Sequence, residues 1–270
     1  MGKKNGNESK ELVRVTSEFA IIKMDQQTIQ ETVTDNLGSS GISAFTLPRV
    51  KIPAGGAQSW EMPTLGEDEP SSTRSFDAVP VLFHGARRFY AKKLKDRTKD
   101  DNPMPDCWSR DGITGCGNFG TGHEDHRNCL GCSMNQWGSA RDEGKGKACA
   151  EQRYLYLLRK DDVLPVLLIL APSSLKAHGL FNVKLSQKAI PYWQALTRFS
   201  LASVPDGPSG PYSTVTMSFV ERVDAKDHQR LREYQKSLKA FVATMDFEDA
   251  EGSAPVDAEV EAGAEGHPLG

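Results

Sequence analysis

The sequence predicts a mainly β, α+β fold built on an antiparallel barrel. Short apolar runs, alternating or continuous and bounded by Gly, Pro and Asp, predict roughly six or seven strands, and only two or three stretches have a helical period. Strands and helices do not alternate regularly along the chain, which argues against a doubly wound parallel sheet. A cysteine-rich stretch without apolar periodicity interrupts the strand pattern and is expected to be an insert.

Hydropathy and charge divide the chain into a body and a tail. No run approaches about 18 apolar residues, and the N-terminus lacks the apolar core of a secretory signal, so we expect a cytoplasmic protein without a membrane partner. The net charge is −3, but residues 246–270 hold eight acidic residues and no Lys or Arg. The body therefore carries 33 basic and 28 acidic residues. This arrangement is found in nucleic-acid-binding proteins, and equally in proteins whose tail only improves solubility.

The N-terminal part predicts one helix and one strand. Residues 1–10 are polar and expected to be disordered. A helix is predicted from Asp25 to Leu37 because its apolar residues recur every fourth position, and Gly38 suits its end. A strand over Thr46–Ile52 follows, and Pro53–Ser75 is expected to be a loop.

The middle of the chain predicts two strand pairs. Phe76–His84 and Arg87–Lys93 are predicted to pair across a tight turn at Gly85. After the insert, Arg153–Arg159 and Leu164–Ala171 are predicted to form a hairpin, because a short charged turn separates two apolar runs.

A helix precedes the last strand pair. The helix is predicted over Pro172–Lys188, with Ser173 or Ser174 as its N-cap. Tyr192–Val204 and Tyr212–Val220 are alternating runs separated by a turn rich in Pro and Gly, so they are predicted to be strands.

These elements predict the domain organisation. A helix with one apolar face is expected over Ala225–Met245. The succession of hairpin, helix and strand pair fits a Greek-key barrel of the OB type. We therefore expect a flexible arm with a short helix at 1–40, an OB-like domain at 41–245 with its insert at 103–149, and a disordered acidic tail at 246–270.

The insert has the composition of a metal site. Cys129 and Cys132 form a CxxC knuckle, which can give two thiolates to zinc from one tight turn. A cysteine cluster in a cytosolic protein is more often metal-binding or catalytic than disulfide-bonded. The other ligands would come from the remaining candidates of the insert: Cys107, Cys116, His123, His126 and Cys149.

The spacing in the insert does not match common catalytic motifs. His123 and His126 are one residue too close for HExxH, and the zinc-deaminase and Walker A signatures are missing. We therefore expect no enzyme and a structural zinc, since a closed four-ligand site has no open position for catalysis. Two alternatives stay open: a metal-dependent nuclease that uses His123, Asp125 or His126, and a zinc-containing interaction or regulatory module.

Three stretches together resemble a known family. They are the run from Leu47 to Gly56 followed by Trp60, the insert pattern from Pro105 to Cys149, and the run Pro172–Lys176 after a strand. Over about residues 30–245 this pattern is similar to a widespread group of bacteriophage proteins regarded as single-stranded DNA-binding proteins with an OB-like core.

The resemblance implies a ligand set and a role. Its cysteine positions correspond to Cys107, Cys129, Cys132 and Cys149, and Cys116 stands where the pattern does not call for cysteine. The function implied is largely sequence-independent binding of single-stranded DNA during phage replication or recombination, in the cytoplasm of the host cell. The resemblance and the charge together suggest that the acidic tail recruits replication or recombination proteins.

Basic and aromatic residues interleave in one predicted strand and in the insert, which is the combination that sequence-tolerant binding of single strands needs. Alternation places Phe89 and Tyr90 on opposite faces, so at most one of them is expected to stack on a base. The candidate DNA contacts are Arg87, Arg88, Phe89, Tyr90, Lys92, Lys93, Trp108, Trp137, Lys145 and Lys147.

Overall fold

The structure is a computed structural model that describes residues 19, 26–38, 47–63, 71–92, 96, 98, 105–117, 127–140, 145–205, 207 and 210–244. The acidic tail predicted at 246–270 lies outside these residues, as do Lys93, His123, Asp125 and His126. The expectations for those parts of the chain therefore stay predictions.

The fold is mainly β, with a curled sheet that forms half of a barrel and a few helices. The strands are β1 (Arg49–Val50), β2 (Trp60–Met62), β3 (Ser71–Thr73), β4 (Ser75–Phe89), β5 (Cys107–Ser109), β6 (Thr114–Gly117), β7 (Arg127–Asn128), β8 (Ala150–Leu158), β9 (Val166–Leu170), β10 (Ala195–Val204) and β11 (Tyr212–Arg222). The helices are α1 (Gln26–Leu37), α2 (Pro172–Gln187) and α3 (His228–Thr244). No helix in the described ranges is long and apolar enough to cross a membrane.

Strand β4 joins the two ends of the sheet. The main path runs β1-β9-β8-β4-β5-β6-β7, while β10 pairs with both β4 and β11. The start of β4 pairs with β10, its length pairs with β8 and its end pairs with β5, all antiparallel. Strand β1 is parallel to β9, and β2 and β3 form a small separate hairpin.

The predicted turn at Gly85 is wrong. Gly85 lies inside β4 and pairs with Arg153, so Phe76–His84 and the start of Arg87–Lys93 form one long strand instead of a strand pair. The backbone stays extended because β8 offers an unbroken ladder on both sides of Gly85. Local turn propensity is outweighed by this long-range pairing.

Two apolar cores lie on opposite faces of the sheet. Alternate residues of β8 divide between them: Tyr154 and Tyr156 join one core, and Leu155 and Leu157 join the other. Both faces are therefore buried, which explains why β8 and β9 are nearly continuous apolar runs. This confirms the predicted hairpin.

The helices cover these cores. Leu231 and Leu238 of α3 pack into the first core, together with Ile29 of α1. In α2, Phe181 and Leu185 are buried. The N-cap of α2 is Ala171 with Pro172 in the first turn, so the predicted serine cap is wrong. Instead, the Ser174 hydroxyl accepts a hydrogen bond of 3.0 Å from the Val215 amide.

Two predicted loops contain strands. The expected loop Pro53–Ser75 holds β2 and β3, because Trp60 and Met62 alternate around Glu61 and bury their side chains in the second core. The cysteine-rich insert likewise contributes β5, β6 and β7 to the sheet. The insert is thus continuous with the half-barrel.

Candidate metal centre and nucleic-acid interface

Four cysteines line one small cavity at the edge of the half-barrel. Cys107 comes from β5, Cys129 and Cys132 from the turn after β7, and Cys149 from the residue before β8. The thiols of Cys107, Cys129 and Cys149 are buried, and that of Cys132 is partly exposed. We call this space the thiol cavity. No disulfide forms among the five cysteines, all of which the structure describes.

Backbone hydrogen bonds hold the knuckle in place. The Cys129 amide donates to Ile113 O at 2.7 Å, and the Asn135 amide donates to Cys132 O at 3.0 Å. The Cys149 amide donates to Met134 O at 2.8 Å, which brings the last cysteine to the same turn. Three separate parts of the chain therefore converge on the cavity through main-chain contacts.

Strand alternation explains why Cys116 is not in this group. Directly opposed residues of antiparallel strands share a face, and Trp108 pairs with Cys116 while Cys107 pairs with Gly117. Cys107 and Cys116 thus point to opposite faces of the sheet. Cys116 does not line the thiol cavity, and the other four cysteines do.

Burial favours the protonated form of two of these thiols, those of Cys129 and Cys149, by raising the pKa of each. It raises the pKa of Cys149 to about 12, and neighbouring cysteines raise it further, while Arg87 lowers it. Burial also raises the pKa of Cys129. A bound cation reverses this effect, because a coordinating thiol is deprotonated.

The donor set fits zinc in kind and number. Four thiols from one CxxC turn and two flanking strand ends are the ligands of a closed structural zinc site. Within the described ranges, no group of three or more His, Cys, Asp or Glu side chains is placed so that it could hold a metal ion. The thiols surround a shared cavity without forming a coordination sphere, and zinc remains a prediction.

Arg87 lies in the wall of the thiol cavity and is 8% exposed. Its guanidinium donates to Gly112 O at 2.9 Å, to Asn135 Oδ1 at 2.7 Å and to Glu151 Oε2 at 3.4 Å. Asn135 in turn donates to Cys129 O at 2.6 Å. A charged side chain thus ties β4 to the knuckle.

Among the described aromatic residues of the insert, Trp137 is the most exposed, at 64%. The Lys147 ammonium lies 5.3 Å from the centroid of its indole and donates to Asn135 Oδ1 at 3.2 Å. Asn135 lines the thiol cavity, so the cation beside Trp137 is anchored to the cavity wall. We call Trp137 and Lys147 the indole platform.

The other predicted DNA contacts are spread over several environments. Phe89 is buried with Cys107 and Cys149, and Arg88 bonds to the Tyr154 hydroxyl. The remaining described candidates have these exposures: Trp108 and Tyr90 are half-buried, and Lys92 and Lys145 are exposed. Each of these contacts stays a prediction. Arg87 and Phe89 of β4 are buried, so neither contributes to the exposed surface beside the insert.

Sequence reasoning missed the polar residues that support the site. Asn135, Glu151 and Asp111 were not candidates, although Asp111 Oδ1 accepts from the amides of Ile113 and Thr114 at 2.7 Å. The signal for Asp111 was present, because Asp-Gly is a turn dipeptide whose carboxylate bonds to nearby amides. Asn135 and Asp111 both belong to the insert pattern that carries the family resemblance, but no role was assigned to either.

No protein-family model, curated protein or solved structure matches this chain.

Proposed function

We propose that this chain is a non-catalytic, zinc-stabilised protein that binds single-stranded DNA with little sequence preference, on an OB-like core. The observation that carries the proposal is the indole platform, an exposed Trp137 with the Lys147 cation beside it, anchored to the wall of the thiol cavity. Exposed tryptophan next to a cation suits a stacked base and its neighbouring phosphate.

In this proposal Cys107, Cys129, Cys132 and Cys149 hold the metal. Zinc supplies no reaction there, and it crosslinks three segments that have little apolar surface of their own. The chain's own contacts do the positioning, because Asn135 links the knuckle carbonyl of Cys129 to the Lys147 ammonium.

Binding would combine two effects with different signatures. Stacking on an exposed aromatic ring is worth about 1–3 kcal/mol per base and tolerates any sequence. Contacts of lysine with phosphate release counterions, so affinity should fall as salt rises. The net charge of the body supports the second effect, since its basic residues exceed its acidic ones.

The experiment is a titration of tryptophan fluorescence with oligo-dT at several salt concentrations. We expect quenching, an affinity that falls with salt, and similar affinity for mixed-sequence single strands. Trp137→Ala should weaken binding by about tenfold or more. Leu130→Ala is the matched control, because Leu130 is 65% exposed in the same insert but has no ring to stack.

Two results would contradict the proposal. The first is no binding of the zinc-loaded wild type at low salt. The second is an equal loss of affinity in Trp137→Ala and Leu130→Ala, which would mean that ring stacking does not contribute. Equal affinity for duplex and single strands would instead favour a zinc-containing interaction module.

A further inference from the structure

A second concavity lies beside the thiol cavity. It is formed by β4, β5 and β8, is partly open to solvent, and is lined by His84, Arg88, Trp108, Arg110 and Tyr154 among others. Trp108 lines both this pocket and the thiol cavity. We call it the strand-face pocket.

Register explains why these side chains meet. Arg88 is directly opposite Trp108 on β5, and His84 is directly opposite Tyr154 on β8. Opposed residues share a face, and alternation places Arg88 and His84 on the same side of β4. Arg87, one position away, lies on the other face of β4 by alternation, and its side chain lines both this pocket and the thiol cavity. The two sites are therefore adjacent and share part of their walls.

The pocket is cationic. Its described lining residues include the guanidinium groups of Arg87, Arg88 and Arg110 and no carboxylate. Arg87 is paired with Glu151, which lies outside the lining. The nearest acidic neighbour in sequence, Asp111, directs Oδ1 to the amides of Ile113 and Thr114 and to the Ser109 hydroxyl. Burial lowers the pKa of His84, so the positive charge at neutral pH comes from the arginines.

Aromatic contacts hold part of the pocket in position. The Tyr154 hydroxyl accepts a hydrogen bond from Arg88, whose guanidinium lies 5.9 Å from the Tyr154 ring centroid. The His84 ring stacks on Tyr154 with centroids 5.3 Å apart and an interplanar angle of 19°. Tyr154 is buried, so it fixes its neighbours while the half-buried Trp108 remains accessible.

We propose that the strand-face pocket is a subsite for one nucleotide of the bound single strand, in which Arg88 and Arg110 bind the phosphodiester and the Trp108 indole stacks on the base. Guanidinium groups match phosphate oxygens through paired N–H donors. This inference rests on the proposed function, and it adds Arg110, with Tyr154 and His84 as positioning residues.

The test measures oligo-dT affinity against salt for the full, zinc-loaded chain. Arg110→Gln should weaken binding at least about fivefold at low salt and reduce the slope of log affinity against log salt by about 0.7, the value for one phosphate contact on a single strand. Arg88→Gln should act in the same direction. Arg159→Ala is the matched control, because Arg159 pairs with Asp162 at the opposite end of β8 and should change neither quantity.

A second measurement needs no variant. Oligonucleotides carrying 5-iodouracil are irradiated with the wild type, and the crosslinked peptide is mapped by mass spectrometry. A crosslink at Trp108 supports the subsite, and crosslinks only at other aromatic residues overturn it. Thermal melts of Arg88→Gln and Arg110→Gln establish that each variant is folded.

The outcomes separate the two proposals. If the wild type binds and the Arg110 and Arg88 variants behave like Arg159→Ala, the subsite is wrong and the proposed function stands. If the wild type does not bind oligo-dT at low salt, the proposed function is wrong, and the subsite with it.

Discussion

The Arg87 guanidinium donates to Asn135 Oδ1 at 2.7 Å, and the two residues are 48 positions apart in the chain. Both side chains are buried. Asn135 also donates to Cys129 O, so one amide connects the half-barrel to the CxxC turn. This contact makes the position of the knuckle dependent on a long-range polar pair.

Asn135→Ala should therefore destabilise the insert. The substitution removes the acceptor of one Arg87 N–H and one of two donors to the Cys129 carbonyl, which keeps only the longer bond from the Cys132 amide. We expect a cost of about 1–3 kcal/mol, and more because Arg87 is charged. Urea denaturation measures the loss. Gln136→Ala is the control, since this neighbouring amide is exposed and should cost less than about 0.5 kcal/mol. Equal losses of stability in the two variants would show that the buried hydrogen bonds of Asn135 stabilise the insert no more than the exposed ones of Gln136.

Zinc content should depend on Cys149 and not on Cys116. Wild type and Cys116→Ser are expected to copurify with about one equivalent of zinc, and Cys149→Ser with much less, because only the second substitution removes a thiol from the cavity. Metal analysis of the three proteins decides this, and chelation should lower the melting temperature of the first two. Retention of zinc by Cys149→Ser, or its loss from Cys116→Ser, is incompatible with the ligand set.

Gly117→Ala should disrupt the strand that carries Cys107. Gly117 has a φ of +120°, and a Cβ there would lie 2.4 Å from Asp106 O and 2.8 Å from Cys107 Cα, both backbone atoms. We expect a loss of at least about 2 kcal/mol, measured by denaturation, and a lower zinc content. Gly131→Ala is the contrasting variant, because nothing lies within 4 Å of its Cβ position, and it should retain zinc. The prediction fails if both alanines are tolerated alike.

The two serines at the start of α2 should respond differently to alanine. Ser174 Oγ accepts from the buried Val215 amide, so Ser174→Ala leaves that donor unpaired at about 1–3 kcal/mol. Ser173 Oγ is buried and has no hydrogen-bond partner among the described residues, so Ser173→Ala should be neutral or stabilising. Melting temperatures of the two variants provide the comparison, and a larger loss for Ser173→Ala would contradict it.

Stability should fall in mild acid because of His178. Burial, with a smaller effect of Arg153, lowers the pKa of His178 from 6.5 to about 4. Between pH 4 and pH 6.5 the unfolded chain binds a proton at His178 that the folded chain does not. The stability that neutral His178 contributes is therefore fully present above about pH 6.5 and is lost as the pH falls towards 4. The loss is at most about 3 kcal/mol.

His178→Leu should flatten this dependence in denaturation experiments at a series of pH values. Some slope should remain from His84, whose pKa is also lowered by burial. An unchanged slope in the variant would show that His178 does not cause it.

The sequence predicted the elements whose burial follows a simple period. The hairpin of β8 and β9 was predictable because both strands are buried on two faces and a charged turn separates them. The helix α3 was predictable from its single apolar face, on which Leu231 and Leu238 are buried. In these cases local pattern and tertiary packing agree.

The sequence did not predict what depends on distant partners. Gly85 has the local character of a turn, and only its pairing with Arg153 keeps it extended. Arg87 has the character of a surface cation, and its burial requires Asn135 and Glu151, which periodicity does not connect with it. The family resemblance implied that four cysteines converge. That Cys116 faces the opposite side follows from the register of β5 and β6, which cannot be read from composition.

The short ladder between β4 and β5 has a consequence for folding fidelity. Strand β4 pairs with β5 through three residues, Arg87, Arg88 and Phe89. A slip of this pairing by one residue would exchange the faces of Cys107 and Trp108. In such a misaligned form the thiol cavity would lose the Cys107 thiol, and the opposite face of the sheet would lose the Trp108 indole. The Arg87 bond to Gly112 O favours the native alignment, because a slip of β5 along β4 would move Gly112 O relative to the guanidinium. Arg87 thus stabilises the native register of the insert.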